Sequence, residues 1–201
     1  MKPFLTFVRH GETDANRAGV LVGHSEYKLT AQGRKASRSV GRELGRGGNQ
    51  ASELFTSPLL RAVDTAVLIG KTITLEPEID ERLVEVNYGE YEGRRPRDVP
   101  DSEWAAWRSS LDFRPPGGES FREVSARVVD FCDELLDRRD EGPFVAISHV
   151  SPIKCAIAWA LQLEAGVMWR LHLSLSSISR IYETDGVPHL VSFNETGHLR
   201  R

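Results

Sequence analysis

The sequence predicts an α/β fold, a three-layer αβα sandwich around a mostly parallel central sheet, and two observations lead to this prediction. Short apolar runs typical of buried strands alternate along the chain with longer stretches of helical periodicity. This alternation is typical of parallel sheets covered by helices on both faces. Three apolar runs also end in polar residues that precede a turn or helix, as strands do at a ligand-binding sheet edge. The 201 residues fit one domain over 1–201.

Each element has its own signal in the sequence. Gly47-Gly48-Asn49 ends one helix, Ser57-Pro58 is typical of an N-cap followed by a first helical position, and Ser120 with Glu123 has the spacing of a capping box. The expected strands are 4–8, 53–56, 72–75, 144–148, 177–183 and 190–193, with at least one late strand antiparallel at the edge. The expected helices are 30–46, 58–70, one from Ser120, and 152–163.

The stretch 87–118 interrupts the alternation. It holds Trp104, Trp107 and Phe113 among arginines and acidic residues that nearly cancel in charge. Long insertions with aromatic residues often act as lids over a site, so we expect a lid-like insertion at 87–118. The alternative of equal weight is a helix whose tryptophans simply pack against the sheet.

The composition and charge of the chain limit the kinds of partner that it can be expected to bind. Hydrophobic residues make up 40% and charged residues 27% of the chain, and the net charge of −3 offers no general attraction for nucleic acid or an anionic membrane. No apolar stretch approaches the ~20 residues that span a bilayer, and the chain runs from Met1 straight into a strand without a secretory signal. We therefore expect a cytoplasmic protein. Cys132 and Cys155 lie in apolar helical patterns and are expected to be buried free thiols.

Four basic side chains are predicted to meet at one edge of the sheet. Arg9 and His10 follow the first strand, Arg61 follows the second, and His149 follows the strand 144–148. Such a convergence of cations calls for an anion, and these groups suit phosphate chemistry. An arginine holds phosphate oxygens with two parallel contacts, and a neutral imidazole can attack phosphorus as a nucleophile. We therefore assign His10 as nucleophile and the other three to the phosphoryl oxygens.

Several separated motifs follow one another in order along the chain. They are Arg9-His10-Gly11-Glu12-Thr13 with Asn16, the loop 23–30, Thr56 to Ala62 with Thr65-Ala66, Glu85 with Tyr88 to Gly93, Gly118-Glu119-Ser120, Ser148-His149 and Asn194 with Gly197-His198-Leu199. In these motifs the chain resembles the histidine phosphatase superfamily, the phosphoglycerate mutase-like enzymes, and within it the small bacterial phosphatases such as α-ribazole phosphatase and broad-specificity acid phosphatases. The resemblance runs nearly end to end.

The resemblance adds roles that the residues alone leave open. Chemistry alone leaves six candidates for the general acid, and the resemblance selects Glu85, which precedes the Tyr-Gly-x-x-Glu-Gly turn. It also implies that Asn16 donates a hydrogen bond to phosphate and that Gly23 and the backbone amide of Val150 contribute to phosphate or substrate binding. The six candidates for the general acid are Glu12, Asp14, Glu81, Glu85, Glu90 and Glu119. Glu12 is interpreted as structural, holding the phosphate loop.

Some residues depart from the family pattern. His149-Val150-Ser151 stands where many relatives have His-Gly-Gly, and Glu26 and Lys28 stand where relatives often carry Asp and Pro. His24 in the same loop either touches substrate or faces water, and water is the favoured alternative. The remaining histidines show no ligand spacing, so no metal and no organic cofactor are expected.

The resemblance implies a phosphatase that hydrolyses a small phosphorylated metabolite, a phosphomonoester, through a phosphohistidine on His10, with Glu85 as general acid and base. The alternatives are a cofactor-dependent phosphoglycerate mutase and, from another class, an inactive phosphate-binding module. Binding alone requires the cations but neither a nucleophile nor an acid, so His10 and Glu85 favour an enzyme. A homodimer is a further possibility that the sequence does not decide.

Overall fold

The computed structural model of the chain describes residues 3–46 and 51–200. Its strands are β1 (Leu5–Arg9), β2 (Glu53–Thr56), β3 (Pro77–Ile79), β4 (Phe144–Ser148), β5 (Ile178–Thr184) and β6 (Val187–Glu195). Its helices are α1 (Asp14–Ala18), α2 (Ala31–Arg46), α3 (Leu60–Ile73), α4 (Asp101–Ser109), α5 (Phe121–Asp137) and α6 (Val150–Ala160), with short 3₁₀ turns between them.

The six strands form one sheet in the order β3-β2-β4-β1-β5-β6. The first four strands of this order are parallel, whereas β5 and β6 are both antiparallel to their neighbours. β2, β4 and β1 are consecutive, and Arg9 is in register with Ser148 while Thr56 is in register with Ile147. The residues that follow these three strands therefore emerge side by side at the same edge of the sheet.

Helices cover both faces of the sheet, and the alternation of side chains along the strands explains why. Phe7, Phe55 and Ala146 point into one buried cluster, which they share with apolar residues of α5 and α6. The neighbouring Val8 and Leu54 point into a second cluster with residues of α2 and α3. Successive residues of a strand face opposite sides, so strands that are apolar throughout need a helical layer on each side. The predicted αβα sandwich is confirmed.

The predicted start of the helix at Pro58 and the predicted strand 72–75 are both wrong. Ser57 is not the N-cap of α3, because that helix begins at Leu60 with Leu59 as its N-cap, and Arg61 therefore lies in the first turn rather than one turn inside. The predicted strand 72–75 is the end of α3 followed by Thr74, whose φ of 62° closes the helix in the left-handed region. β3 follows only at Pro77. The residues Gly47-Gly48-Asn49, predicted to end the helix 30–46, lie outside the described residues.

The helix of α6 also begins earlier than predicted. It starts at Val150 with His149 as its N-cap, and Pro152 lies inside its first turn. The capping box at Ser120 is confirmed, since its hydroxyl accepts a bond from the Glu123 N–H while the Glu123 carboxylate accepts one from the Ser120 N–H.

The segment 87–118 contains two 3₁₀ turns and α4. Trp107 is 1% exposed and packs against Tyr88, Phe121 and Trp169, with ring centroids 5.7, 4.8 and 6.1 Å away. This part of the segment is continuous with the main apolar core. Cys132 and Cys155 are buried free thiols, as predicted. No helix within the described ranges has the length and apolarity that a bilayer crossing requires.

Candidate active site

His10 and His149 lie side by side at the carboxyl edge of the sheet. Their ring centroids are 5.0 Å apart, and both side chains are buried. The backbone holds them there, because the His10 N–H donates to the Ser148 carbonyl oxygen at 3.0 Å and so extends the pairing of β1 with β4. Two residues 139 positions apart in the chain thus meet through a strand register that the apolar sequence dictates.

The environment of His10 keeps one ring nitrogen free for chemistry. Nδ1 lies 2.8 Å from the Gly11 carbonyl oxygen, which can only accept, so Nδ1 carries the hydrogen and Nε2 keeps its lone pair. Burial above all, and then the positive charges of Arg9 and Arg61, hold the pKa of His10 well below its usual range. The imidazole is therefore neutral near neutral pH, the form that can act as a nucleophile.

His149 is held by Ser57, which the sequence pattern predicted to be a helix N-cap. Its Nε2 lies 2.7 Å from the hydroxyl oxygen of Ser57, at the end of β2. Its Nδ1 is buried and has no partner among the described residues. Burial, followed by the charge of Arg61 and the proximity of His10, holds the pKa of His149 well below its usual range. The group is thus a neutral hydrogen-bonding residue with one ring nitrogen available.

Backbone carbonyls hold the two arginines. Arg61 is 1% exposed, and its guanidinium donates to the Gly23 oxygen at 2.7 Å and to the Ser25 oxygen at 3.1 Å. Arg9 donates to the Leu173 oxygen at 2.6 Å, and its Nε is buried without a partner in the described part of the chain. Burial lowers the pKa of Arg9 to about 10, an effect opposed by the charge of Glu85 and increased by that of Arg61. Both arginines remain charged near neutral pH.

We call Arg9, His10, Arg61 and His149 the basic cluster. The imidazole rings of His10 and His149 have centroids 5.0 Å apart, and Arg9 and Arg61 are near enough for their charges to help lower the pKa of both histidines. The convergence expected from the strand ends is therefore present in the structure. Two charged arginines and two neutral imidazoles thus share a buried space, and this arrangement is suited to a multiply charged anion.

Glu85 closes the other side of the cluster. Its side chain is 4% exposed, and its oxygens accept hydrogen bonds from the N–H groups of Val86 (2.9 Å), Val150 (3.1 Å) and Ser151 (3.1 Å). Two of these donors belong to the first turn of α6, whose free N–H groups and dipole favour a negative charge. The first turn of α6 thus binds a carboxylate in the place where an anionic substrate group would find the same donors.

The other three sequence-predicted binding residues are placed less directly. The Val150 N–H faces Glu85, and the Gly23 N–H donates to Glu92 at 2.8 Å. The Asn16 side-chain oxygen accepts from the Thr13 N–H at 3.0 Å in the capping box of α1. Within residues 3–46 and 51–200, no hydrogen bond joins Asn16 to the basic cluster. The roles of these three residues toward a ligand stay predictions.

Neighbouring residues support the site loops. The Glu12 carboxylate accepts from the Thr30 hydroxyl at 2.7 Å, the structural contact expected of it. His24 is exposed, and its Nε2 lies 3.0 Å from the Glu85 carbonyl oxygen. Glu26, one of the departures from the family pattern, accepts from the Leu60 N–H at 2.8 Å and so caps α3, whose own N-cap has no polar side chain.

Two residues that contact the site were not predicted from the sequence. Ser57 was interpreted as a helix cap, although its position directly after β2 is the same signal that identified His10 and His149. Thr65 links two site elements, because its hydroxyl accepts from the Gly11 N–H at 3.0 Å and donates to the Arg61 carbonyl oxygen at 2.7 Å. Thr65 carried only the family resemblance as a signal. Within the described ranges, no three His, Cys, Asp or Glu side chains gather in a group that could hold a metal ion.

Comparison with known proteins decides the family. The model of the histidine phosphatase superfamily (branch 1) matches residues 5–196. The chain belongs to this superfamily. A bifunctional protein of Mycobacterium tuberculosis is 33% identical over 200 residues, which cover 97% of this chain and 54% of that protein. The chain thus spans about half the length of this curated relative and of two further mycobacterial relatives with the same identity.

Other members of the superfamily carry more specific names. A 2,3-bisphosphoglycerate-dependent phosphoglycerate mutase of Methylobacterium radiotolerans is 36% identical over 157 residues, 74% of each chain. The phosphoserine phosphatase of Entamoeba histolytica, solved with 3-phosphoglyceric acid, superposes with a TM-score of 0.86 at 27% identity and covers 97% of this chain and 98% of its own. The α-ribazole phosphatase of Shigella flexneri gives 0.83 at 28% identity, with 95% and 96% covered.

Proposed function

We propose that this histidine phosphatase superfamily member is a phosphatase that hydrolyses a small phosphomonoester without a metal or organic cofactor. The observation that carries the proposal is the state of His10, a buried neutral imidazole whose Nδ1–H is fixed on the Gly11 oxygen while Nε2 keeps its lone pair among basic side chains. A phosphate-binding module needs the cations alone. A neutral nucleophile beside a buried carboxyl is the equipment for covalent phosphoryl transfer.

The reaction divides into two steps. His10 Nε2 attacks phosphorus, the bond between phosphorus and the ester oxygen breaks, and the Glu85 carboxyl gives its proton to that leaving oxygen. The Glu85 carboxylate then takes a proton from water, whose oxygen attacks phosphorus and breaks its bond to His10, releasing inorganic phosphate. Arg9, Arg61 and His149 offset the charge on the phosphoryl oxygens in both steps.

Glu85 has to change partners during this reaction. It accepts hydrogen bonds from the Val150 and Ser151 N–H groups, and these are donors of the kind that phosphate oxygens take at a helix N-terminus. A phosphate that takes the Val150 N–H would displace the carboxyl toward the leaving oxygen. A carboxyl group that faces a bound phosphate is favoured in its protonated form, as a general acid must be.

Phosphoglycerate mutase is the second candidate, because one relative of that name is 36% identical over 74% of this chain. The phosphatase is preferred on the two superposed structures, whose proteins are both named phosphatases and which cover at least 95% of the chain at 27% and 28% identity. A mutase must also keep its phosphohistidine from water, whereas a phosphatase has no such requirement.

Incubation with p-nitrophenyl phosphate, and separately with 3-phosphoglycerate and its bisphosphate primer, distinguishes the candidates. We expect phosphate release from the first and no isomerisation of the second. His10→Ala should lower turnover by about 10³-fold or more and abolish the phosphoenzyme trapped by acid quench, whereas exposed His189→Ala should behave as wild type. Isomerisation would support the mutase, and neither activity would support the binding module.

The role of Glu85 has a separate test. Glu85→Gln should slow phosphoenzyme formation strongly with an alkyl monoester and much less with p-nitrophenyl phosphate, whose leaving group needs no proton. An equal loss with both substrates would contradict the acid role. Activity should survive EDTA, and a loss that a divalent ion restores would contradict the absence of a metal.

A further inference from the structure

Glu92 lies outside the basic cluster, and the proposed reaction gives it no part. Its carboxylate nevertheless collects four hydrogen bonds from three consecutive residues. The N–H groups of Gly23, His24 and Ser25 donate to it at 2.8, 2.6 and 3.2 Å, and the Ser25 hydroxyl donates as well. We call residues 23–25 the arginine loop. A half-buried glutamate can satisfy its carboxylate with water, so four protein donors on one carboxylate indicate that Glu92 holds the residues that donate to it.

The opposite side of the arginine loop holds Arg61. The loop turns its N–H groups toward Glu92 and the carbonyl oxygens of Gly23 and Ser25 toward the guanidinium, at 2.7 and 3.1 Å. Arg61 is 1% exposed, so these two oxygens determine the plane of its guanidinium. Because a phosphate contact by arginine depends on that plane, the position of the loop sets the direction in which Arg61 meets a ligand.

Gly23 shows how closely the loop is held. A Cβ at this position would lie 2.4 Å from Glu92 Oε1 and 2.4 Å from the Val86 carbonyl oxygen. Glycine is therefore required by the close approach of Glu92 and of the backbone next to Glu85. The arginine loop is pressed between the segment that carries Glu92 and the segment that carries Glu85.

The segment of Glu92 is tied to this part of the chain by its backbone as well. The Leu21 N–H donates to the Arg94 oxygen at 2.8 Å, and the Gly93 N–H donates to the Leu21 oxygen at 2.9 Å. These bonds do not involve the Glu92 side chain. Removal of the carboxylate charge should therefore leave the two segments paired and release only the arginine loop.

We infer that Glu92 is a positioning residue, which sets the direction of Arg61 for a phosphoryl group by holding the arginine loop. The inference rests on the proposed function, since it assigns Arg61 to phosphate. It also gives the segment 87–118 a task in the site that requires no movement of the segment as a lid.

The test compares Glu92→Gln with Glu90→Gln, an exposed glutamate two residues away. The probe is inorganic phosphate, whose affinity is measured by titration calorimetry, followed by kcat and KM with p-nitrophenyl phosphate. We expect Glu92→Gln to weaken phosphate binding and to lower kcat/KM, each by about tenfold or more, as a small misplacement of a positioning group does. Glu90→Gln should match wild type within about twofold.

A double-mutant cycle identifies the route through Arg61. In the background of Arg61→Met, Glu92→Gln should change phosphate affinity by less than about twofold, because the group through which it acts is gone. An equal loss in both backgrounds would overturn the inference. If Arg61→Met fails to fold, the comparison of Glu92→Gln with Glu90→Gln decides alone, at matched unfolding midpoints. A merely structural Glu92 would lower the midpoint and leave the phosphate affinity of the folded protein unchanged.

The two proposals fail in different ways. Wild-type protein that binds phosphate but hydrolyses no monoester would contradict the proposed function, while the affinities of the variants would still test Glu92. Glu92→Gln that binds phosphate as wild type does would overturn the positioning role alone. Wild-type protein that binds no phosphate would overturn both, since Arg61 would then have no ligand to meet.

Discussion

Mild acid should destabilise this protein because its site buries two imidazoles in their neutral form. His10 and His149 are 3% and 0% exposed, and burial among basic groups holds the pKa of each well below its usual range. In the unfolded chain both are free to take up protons. As the pH falls through the ordinary histidine pKa of about 6.5, the unfolded state binds protons that the folded state refuses, so folding stability is lost.

The size of the effect follows from proton linkage. Between about pH 7 and about pH 5.5, an imidazole with an unfolded pKa near 6.5 that stays neutral in the folded protein lowers stability by about 1 kcal/mol. The two buried imidazoles together give about 2 kcal/mol. Burial also lowers the pKa of His198, which adds to the loss in the same direction. Carboxylates contribute mainly at lower pH, where their unfolded forms begin to take up protons.

Urea unfolding at the two pH values, in buffer without phosphate, measures this difference. His149→Asn should retain about half of the loss that the two site imidazoles cause, because one proton-binding group of the unfolded chain is gone. Exposed His189→Asn should keep the wild-type difference. Each protein is compared with itself across pH, so the stability cost of a substitution does not enter. A wild-type stability that is flat from pH 7 to pH 5.5, or a His149→Asn difference equal to wild type, would refute the reasoning.

Three further substitutions test particular contacts. Ser57→Ala removes the partner of His149 Nε2 and should lower kcat/KM with p-nitrophenyl phosphate about tenfold, whereas exposed Ser52→Ala should not. Trp107→Ala should cost about 3–5 kcal/mol in urea unfolding, since this side chain is 1% exposed and packs on five aromatic rings, and exposed Arg108→Ala should cost little. Ser120→Ala should cost about 1 kcal/mol through the lost capping box of α5, with exposed Ser109→Ala as its control.

Local patterns predicted those elements whose ends are determined locally. The strands 53–56 and 144–148 have the predicted bounds, because each is an apolar run that stops at a polar residue. The capping box at Ser120 is also local, since both of its bonds join residues three positions apart. The strand predicted at 72–75 failed because its β-branched residues end a helix that packs on β2 and the sheet. A short run of this kind does not distinguish a strand from a helix end.

In the candidate site, too, some features were predictable from local sequence patterns and others were not. The sequence pattern indicated that His10, Arg61 and His149 each follow a strand. In the structure these strands are parallel neighbours, so the three residues follow them at the same edge of the sheet. The partners of those residues were not predictable. Ser57 contacts His149 across 92 positions, and two of the three donors to Glu85 lie 65 and 66 positions away. Such contacts depend on the packing of loops between strands, for which the sequence carries no periodic signal.

The structure also explains how a cluster of basic groups can contain a nucleophile. Arg9 and Arg61 stay charged despite burial, because even a lowered pKa of about 10 for Arg9 lies far above neutral pH. Burial above all, and then these charges, suppress protonation of the imidazoles, whose ordinary pKa lies close to neutrality. The arginines therefore do two things at once: they attract the phosphate, and they keep the His10 lone pair available to attack it. A lysine in place of either arginine would supply the charge as a single point without the planar pair of donors. The phosphate would still be attracted, but the phosphoryl group would lose its orientation.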